Sequence, residues 1–276
     1  MGLRDGDRLG ILTSGGDAPG MNAAIRGVGR VATTLGLEVV GIEEGYAGLM
    51  EGRTRALDLR DLDEAARRGG TVLGSSRSAL FPLEEGQRRA RESIVELRLA
   101  ALIVIGGNGS LTGAHALAGV PTAGGDRLRV GGIPASIDND LACTSMAIGV
   151  DTAMNTIVDA IDRICDTATS HHRTFVVEVM GRECGYLAVT SAVAASADAA
   201  LTPEVGRTDD EILDAVVGAI QAAYRGAGGK RRAVVVKAEG VKLDPQLLKR
   251  RIDERVGSHE GGDSRVVVLG HTVRGG

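Results

Sequence analysis

Residues 9–23 read Leu-Gly-Ile-Leu-Thr-Ser-Gly-Gly-Asp-Ala-Pro-Gly-Met-Asn-Ala: an apolar run, a glycine-rich turn and the opening of a helix over 21–34. Glycines at 15, 16 and 20 let backbone amides approach an anion, and the N-terminus of the helix that follows favours negative charge. The turn lacks the G-x-G-x-x-G spacing, which counts against a dinucleotide fold. Outward from this stretch the pattern recurs. Residues 102–105 run into Gly106-Gly107-Asn108-Gly109-Ser110 and another helix, and 130–133 stop at Pro134 before Ala135-Ser136-Ile137-Asp138-Asn139-Asp140. Further strand-like runs lie at 37–42, 174–180, 233–237 and 266–269. Strands alternating with helical segments predict parallel sheets with right-handed crossovers, so the fold class expected is α/β.

Residues 148–168 place Val150, Met154, Ile157, Ile161 and Ile164 on one helical face. This long helix is expected to bridge two α/β units, with a boundary near Gly149. Thr208 followed by Glu211 makes a capping box in front of Ile212, Val216 and Ile220.

A chain of 276 residues allows one large or two ordinary domains. Its net charge of −4 gives no global case for nucleic acid or an anionic membrane. No apolar run approaches the ~18 residues of a membrane span, and residues 1–12 are too polar for a signal peptide. Cys143, Cys165 and Cys184 form neither an even framework nor a C-x-x-C pair, so the compartment expected is a reducing cytosol. Lysine occurs only at 230, 237, 242 and 249. A Walker A loop is therefore excluded from the first 229 residues, and phosphate chemistry there must rely on arginine, backbone amides and metal. The 41 glycines cluster at strand ends without a period, as tight strand-to-helix turns require.

Asp138 and Asp140 follow a strand, and ligands of open α/β sheets bind at the carboxyl ends of strands. One carboxylate suits a proton acceptor and the other a group facing a metal or phosphate; read alone, Asp-Asn-Asp is first a turn, and the glycine-rich strand ends at 14–20 and 106–110 are what favour the functional reading. Gly69-Gly70-Thr71-Val72-Leu73-Gly74-Ser75-Ser76-Arg77 offers hydroxyls and an arginine to a polyphosphate. The loop at 226–229 with Lys230-Arg231-Arg232 reads as a solvated basic turn.

In their order along the chain, residues 15–23, 74–77, 106–110, 136–140, 180–182 and 269–276 resemble the motifs of the phosphofructokinase family. The resemblance spans nearly the whole chain. It implies two Rossmann-like three-layer α/β/α units with mainly parallel sheets: a nucleotide-binding domain over 1–149, a sugar-phosphate-binding domain over 150–270, and the start of a crossover back to the first domain over 271–276. The family continues for several tens of residues beyond that point, so the chain as given is expected to be weakly folded and poorly active alone.

Carried over by motif, the resemblance implies that Asp138 is the general base on the C1 hydroxyl of fructose 6-phosphate, with Asp140 and Arg182 completing the catalytic set. Gly16, Arg77, Ser78, Gly107, Asn108, Gly109 and Ser110 would hold the nucleotide. Ser136, Ile137, Asp138, Met180, Gly181, Arg182, Glu239, His271 and Arg274 would bind the sugar phosphate, with Arg173 and Arg265 reaching in from a neighbouring subunit of a homotetramer. The physical chemistry agrees: a sugar phosphate needs cations at one end and acceptors at its hydroxyls, and phosphoryl transfer needs positioning, charge neutralisation and a base. The cofactor implied is Mg²⁺ with ATP as phosphoryl donor; no nucleic-acid or membrane partner is implied.

Gly109 and Ala135 stand where pyrophosphate users of the family carry aspartate and lysine, which points to ATP. Asn108 replaces an aspartate expected to face Mg²⁺, and Ser136 replaces a threonine. Arg26, Arg30 and Lys230 fall where some members bind effectors, but in this sequence they read first as solvated surface charge. The competing readings are a pyrophosphate-dependent member, a kinase of the NAD-kinase type, which leaves 180–182 and 271–274 unexplained, and a catalytically weak or regulatory sugar-phosphate binder.

Overall fold

Residues 9–14 are buried without interruption, the signature of a strand covered on both faces at the centre of a parallel sheet. The computed structural model describes residues 2–225, 231–257 and 263–275. Two compact units emerge: Met1–Ser136, Asp140–Gly149 and Arg274–Gly276 in the first, Ile137–Asn139 and Val150–Val273 in the second. Gly226–Gly229, Lys230 and Gly276, singled out above, lie outside the described residues.

In the first unit the chain runs β1 (Arg8–Ser14), α1 (Met21–Thr34), β2 (Glu38–Ile42), α2 (Gly45–Glu51), β3 (Thr54–Ala56), α3 (Leu59–Ala65), α4 (Glu84–Glu96), β4 (Leu99–Gly106), α5 (Asn108–Leu117) and β5 (Arg129–Pro134). The strands order as β3-β2-β1-β4-β5, parallel except for the antiparallel β3. After β1 the chain moves to one side for β2 and later to the other for β4. That makes the carboxyl ends of β1 and β4 a topological switch point. Helix α1 turns Met21, Asn22, Ile25, Gly29 and Ala32 inward at three- and four-residue spacing.

The second unit contains α6 (Val150–His171), β6 (Thr174–Val179), α7 (Tyr186–Ala194), β7 (Ala199–Leu201), α8 (Asp209–Arg225), β8 (Ala233–Ala238), α9 (Pro245–Val256) and β9 (Ser264–Val268). Its sheet, β7-β8-β6-β9, is parallel throughout. The capping box before α8 forms as the sequence predicts: Thr208 N–H donates to Glu211 Oε2 at 2.8 Å and Glu211 N–H to Thr208 Oγ1 at 3.4 Å. Inside the sheet Lys237 is 1 % exposed, and its ammonium donates to Glu178 Oε2 at 2.7 Å from the adjoining strand.

Three differences from the sequence expectation have simple causes. β3 and β7 are three residues long, too short to show a period. The second glycine turn is nearly absent, because α5 starts at Asn108 and takes Asn108, Gly109 and Ser110 into its first turn. The last strand begins at Ser264, two residues before the apolar run that marks it, because Ser264 and Arg265 pair with β6 through their backbone while their side chains are polar.

Candidate active site

The first unit gathers its glycine-rich segments at the carboxyl ends of β1 and β4. Gly15 has φ +90°, which an L side chain rarely adopts, and its carbonyl accepts from Ser75 Oγ at 2.6 Å. Thr13 Oγ1 donates to Gly74 O at 2.8 Å, fixing the 69–77 segment against β1. Ser110 Oγ donates to Ser14 O at 2.9 Å, tying the first turn of α5 to the end of β1. A Cβ on Gly106 would overlap Ser14 O and Ser110, so glycine there is a packing requirement. Gly109 differs: a Cβ would meet nothing within 4 Å. Packing does not call for glycine at a helical position where it costs ~0.5–1 kcal/mol relative to alanine.

Arg274 lies in this first unit. Its Nη1 donates to Asp17 O at 2.6 Å, and a Cβ on Gly16 would come within 3.0 Å of the same nitrogen. The guanidinium therefore sits on the glycine turn itself. Arg77 is exposed, whereas the Ser78 hydroxyl accepts from Phe81 N–H at 3.1 Å and shapes its own turn. Asn108 is exposed at the start of α5 and Gly107 is half-buried before it. Ser136 Oγ donates to Asp140 Oδ1 at 3.3 Å across the turn after β5.

In the second unit Asp138 is 6 % exposed, and Arg182 Nε lies 4.0 Å from its Oδ2. Ile137 is buried, so only its backbone is available to a ligand. Met180, Gly181 and Arg182 follow β6 in a turn that Glu239, just beyond β8, holds from across the sheet. Glu239 Oε1 accepts from Arg182 N–H at 3.0 Å and from Gly181 N–H at 3.4 Å. Arg182 has φ +48°, a left-handed conformation worth ~1–3 kcal/mol of strain that the surroundings must impose. Part of that constraint is Gly240, where a Cβ would overlap Arg182 O. The turn closes with Cys184 N–H donating to Gly181 O at 2.8 Å and Gly185 N–H to Glu204 Oε1 at 2.6 Å. That backbone donor holds the Glu204 carboxyl below the usual carboxylate range. His271 is exposed in a 3₁₀ turn following β9.

Arg173 and Arg265 are elsewhere. Arg173 precedes β6 and Arg265 is the second residue of β9, at the amino ends of the strands whose carboxyl ends carry Met180–Arg182 and His271. Six residues at ~3.3 Å each put roughly 20 Å between the two ends. The two arginines meet at Asp263: Arg173 Nε donates to Oδ2 at 2.6 Å and Arg265 Nη1 to Oδ1 at 2.5 Å. Arg173 first and Arg265 second hold the Asp263 carboxyl below its ordinary range. Arg26 and Arg30 on α1 both pair with Asp63 of α3.

A family model for phosphofructokinase matches residues 8–276. The chain belongs to the phosphofructokinase family. Curated ATP-dependent 6-phosphofructokinases of this family include one from Natranaerobius thermophilus, 45% identical over 98% of this chain and 79% of the relative. Another, from Clostridioides difficile, is 46% identical over 97% of this chain and 79% of that protein. Among solved structures, phosphofructokinase from Saccharomyces cerevisiae superposes with a TM-score of 0.87 at 35% identity, covering 98% of this chain and 38% of the yeast chain. A pyrophosphate-dependent phosphofructokinase from Marinobacter aquaeolei gives 0.82 at 20% identity, covering 97% of this chain and 69% of that one, and shares the fold.

The phosphofructokinase motifs include residues whose work sequence reasoning did not assign. Asn22, 1 % exposed, donates through Nδ2 to Arg68 O at 3.0 Å and accepts from Val72 N–H at 2.8 Å. It thereby anchors the segment leading to Arg77. The signal was present: Asn22 lies three residues before Ile25, on the buried face of α1. Asp263 gave no such signal.

Proposed function

We propose that the chain phosphorylates the C1 hydroxyl of fructose 6-phosphate with ATP, giving fructose 1,6-bisphosphate and ADP. The observation that carries this reading is Asp138, a buried carboxylate with a guanidinium beside it, in a chain 40–46% identical to several ATP-dependent 6-phosphofructokinases. Asp138 takes the proton of the attacking hydroxyl, and Arg182 offsets negative charge as the phosphoryl group moves. Glu239 holds the Gly181–Arg182 turn through Oε1; Oε2, without a bond among the described residues, is left to accept from a sugar hydroxyl. The amides opening α5, the glycine turn and Arg77 serve the donor phosphates. Asp140 orients the turn after β5.

Among the described residues no group of three or more His, Cys, Asp or Glu side chains is gathered to hold a metal. A magnesium ion that arrives with its nucleotide needs only one or two protein oxygens, the rest coming from phosphate and water. The amide oxygen of Asn108 and the carboxylate of Asp140 are hard donors suited to that minority share. When bound, the ion would neutralise donor phosphate charge.

Gly109 supports ATP as the donor, since the fold itself leaves room for a side chain there and yet none is present. Arg173 and Arg265, remote from Arg182 within one subunit, would meet the sugar phosphate of a neighbouring copy, so the working form is a homo-oligomer. A coupled assay with fructose 6-phosphate tests this: turnover with ATP and little with pyrophosphate is expected. Equal or faster turnover with pyrophosphate would overturn the donor assignment, and binding without turnover would favour a regulatory sugar-phosphate protein.

A further inference from the structure

Arg173 and Arg265 come from different elements, yet a single carboxylate joins them. Asp263 receives Arg173 on one oxygen and Arg265 on the other, which fixes the two guanidinium groups relative to each other. The way each is used matters. Arg173 contributes Nε, so both of its terminal amino groups make no other bond among the described residues. Arg265 contributes Nη1, which also donates to Ser264 O at 2.9 Å, leaving Nε and Nη2 without one. All three side chains are partly exposed, between 28% and 42%. The cluster as a whole is two cations to one anion.

From this geometry we infer that Asp263 is a positioning residue that holds Arg173 and Arg265 as a preformed two-arginine clamp for a phosphate monoester. This rests on the reading above, in which those arginines bind the sugar phosphate of a neighbouring copy. A guanidinium presents its donors in a rigid fork, and two forks aimed at one phosphate bind it well only if their side chains are already ordered. Asp263 supplies that order while leaving the outward donors to the ligand. Were the carboxylate a competitor for the phosphate, it would occupy the terminal amino groups of both arginines; for Arg173 it occupies neither.

The test is steady-state kinetics on the full chain with Asp263→Asn, Arg173→Ala and Arg265→Ala, following fructose 6-phosphate and ATP separately. Asp263→Asn is expected to raise the KM for fructose 6-phosphate about tenfold, the equivalent of ~1.4 kcal/mol, with the ATP KM and kcat within about twofold. In the Arg173→Ala background the same change should add much less, because coupled residues are not additive. A merely structural role would shift both substrates and would add fully. An unchanged or lowered fructose 6-phosphate KM in Asp263→Asn overturns the inference. Should that variant not fold, Asp263→Glu decides: a KM for fructose 6-phosphate raised about threefold alone supports the clamp, and an unchanged one overturns it. If Arg173→Ala and Arg265→Ala both leave that KM unchanged, the underlying reading of the arginines fails, and the clamp with it. Arginine variants that weaken binding beside a silent Asp263→Asn sink the clamp alone.

Discussion

Asp138→Ser is expected to lower kcat by about 10²–10⁴-fold while the KM for fructose 6-phosphate moves little, because a base acts on the proton that leaves in the transition state. Activity retained within a factor of a few would take Asp138 out of that role. Glu204 offers a pH test of the turn that presents Arg182. Its carboxyl is depressed by the Gly185 N–H, so its contribution to folding is complete above the unfolded carboxylate value, ~4.3, and is lost as pH falls through the folded value. Melting temperatures between pH 3 and 6 should fall less steeply in Glu204→Gln than in the parent, and identical slopes would show that the bond contributes nothing. Single residues were legible to the extent that they carry motif chemistry. Asp138 and Arg182 stand out by neighbours in sequence, whereas Glu239 enters only through the family resemblance. Asp263 does not stand out, because its importance comes from joining Arg265, two residues on, to Arg173, ninety residues away.

At the scale of elements, strand-turn-helix units declare themselves by an apolar run that stops at glycine, as after β1, β4 and β6, or at proline, as in β5. Which glycines serve packing and which serve a ligand was not readable, since both look alike in sequence. Gly109 and Gly240 separate the two cases. A Cβ at Gly109 meets no atom, so Gly109→Asp should keep stability within about 0.5 kcal/mol of the parent while the KM for ATP rises; denaturation and kinetics together check this. Gly240→Ala collides with Arg182 O and should damage the turn and the fructose 6-phosphate KM even where the protein folds. Lys237→Met leaves the Glu178 carboxylate without its ammonium in a mostly buried place, at a cost of roughly 3 kcal/mol by urea denaturation. Pairing it with Glu178→Leu should recover most of that loss.

For the whole molecule, if Arg173 and Arg265 serve a neighbouring copy as proposed, their place at the end of the sheet away from Arg182 would make one copy insufficient. Specific activity is therefore expected to fall on dilution through the dissociation range and to recover on concentration; activity independent of protein concentration would argue for a self-sufficient monomer. The first unit also has an apolar groove of about 500 Å³ along α1, with Val31 and Leu35 each 63 % exposed. Such a face should bind a hydrophobic dye, and Val31→Lys with Leu35→Lys should abolish the signal. The α/β class was legible from alternation alone, but the groove was not, because helical periodicity marks an apolar face without saying what covers it. The pair formed by Glu178 and Lys237 also has a bearing on how the second sheet assembles. On the far side of each strand the register sets Glu178 against Val268 and Lys237 against Leu201. Only one neighbour therefore offers each charge its opposite, and only in one alignment, since a slip of a single residue turns side chains to opposite faces. Among strands whose other residues are mostly valine and alanine, the two charges act as a key: they mark β6 and β8 as partners and make misordered or shifted sheets bury an unmatched ion.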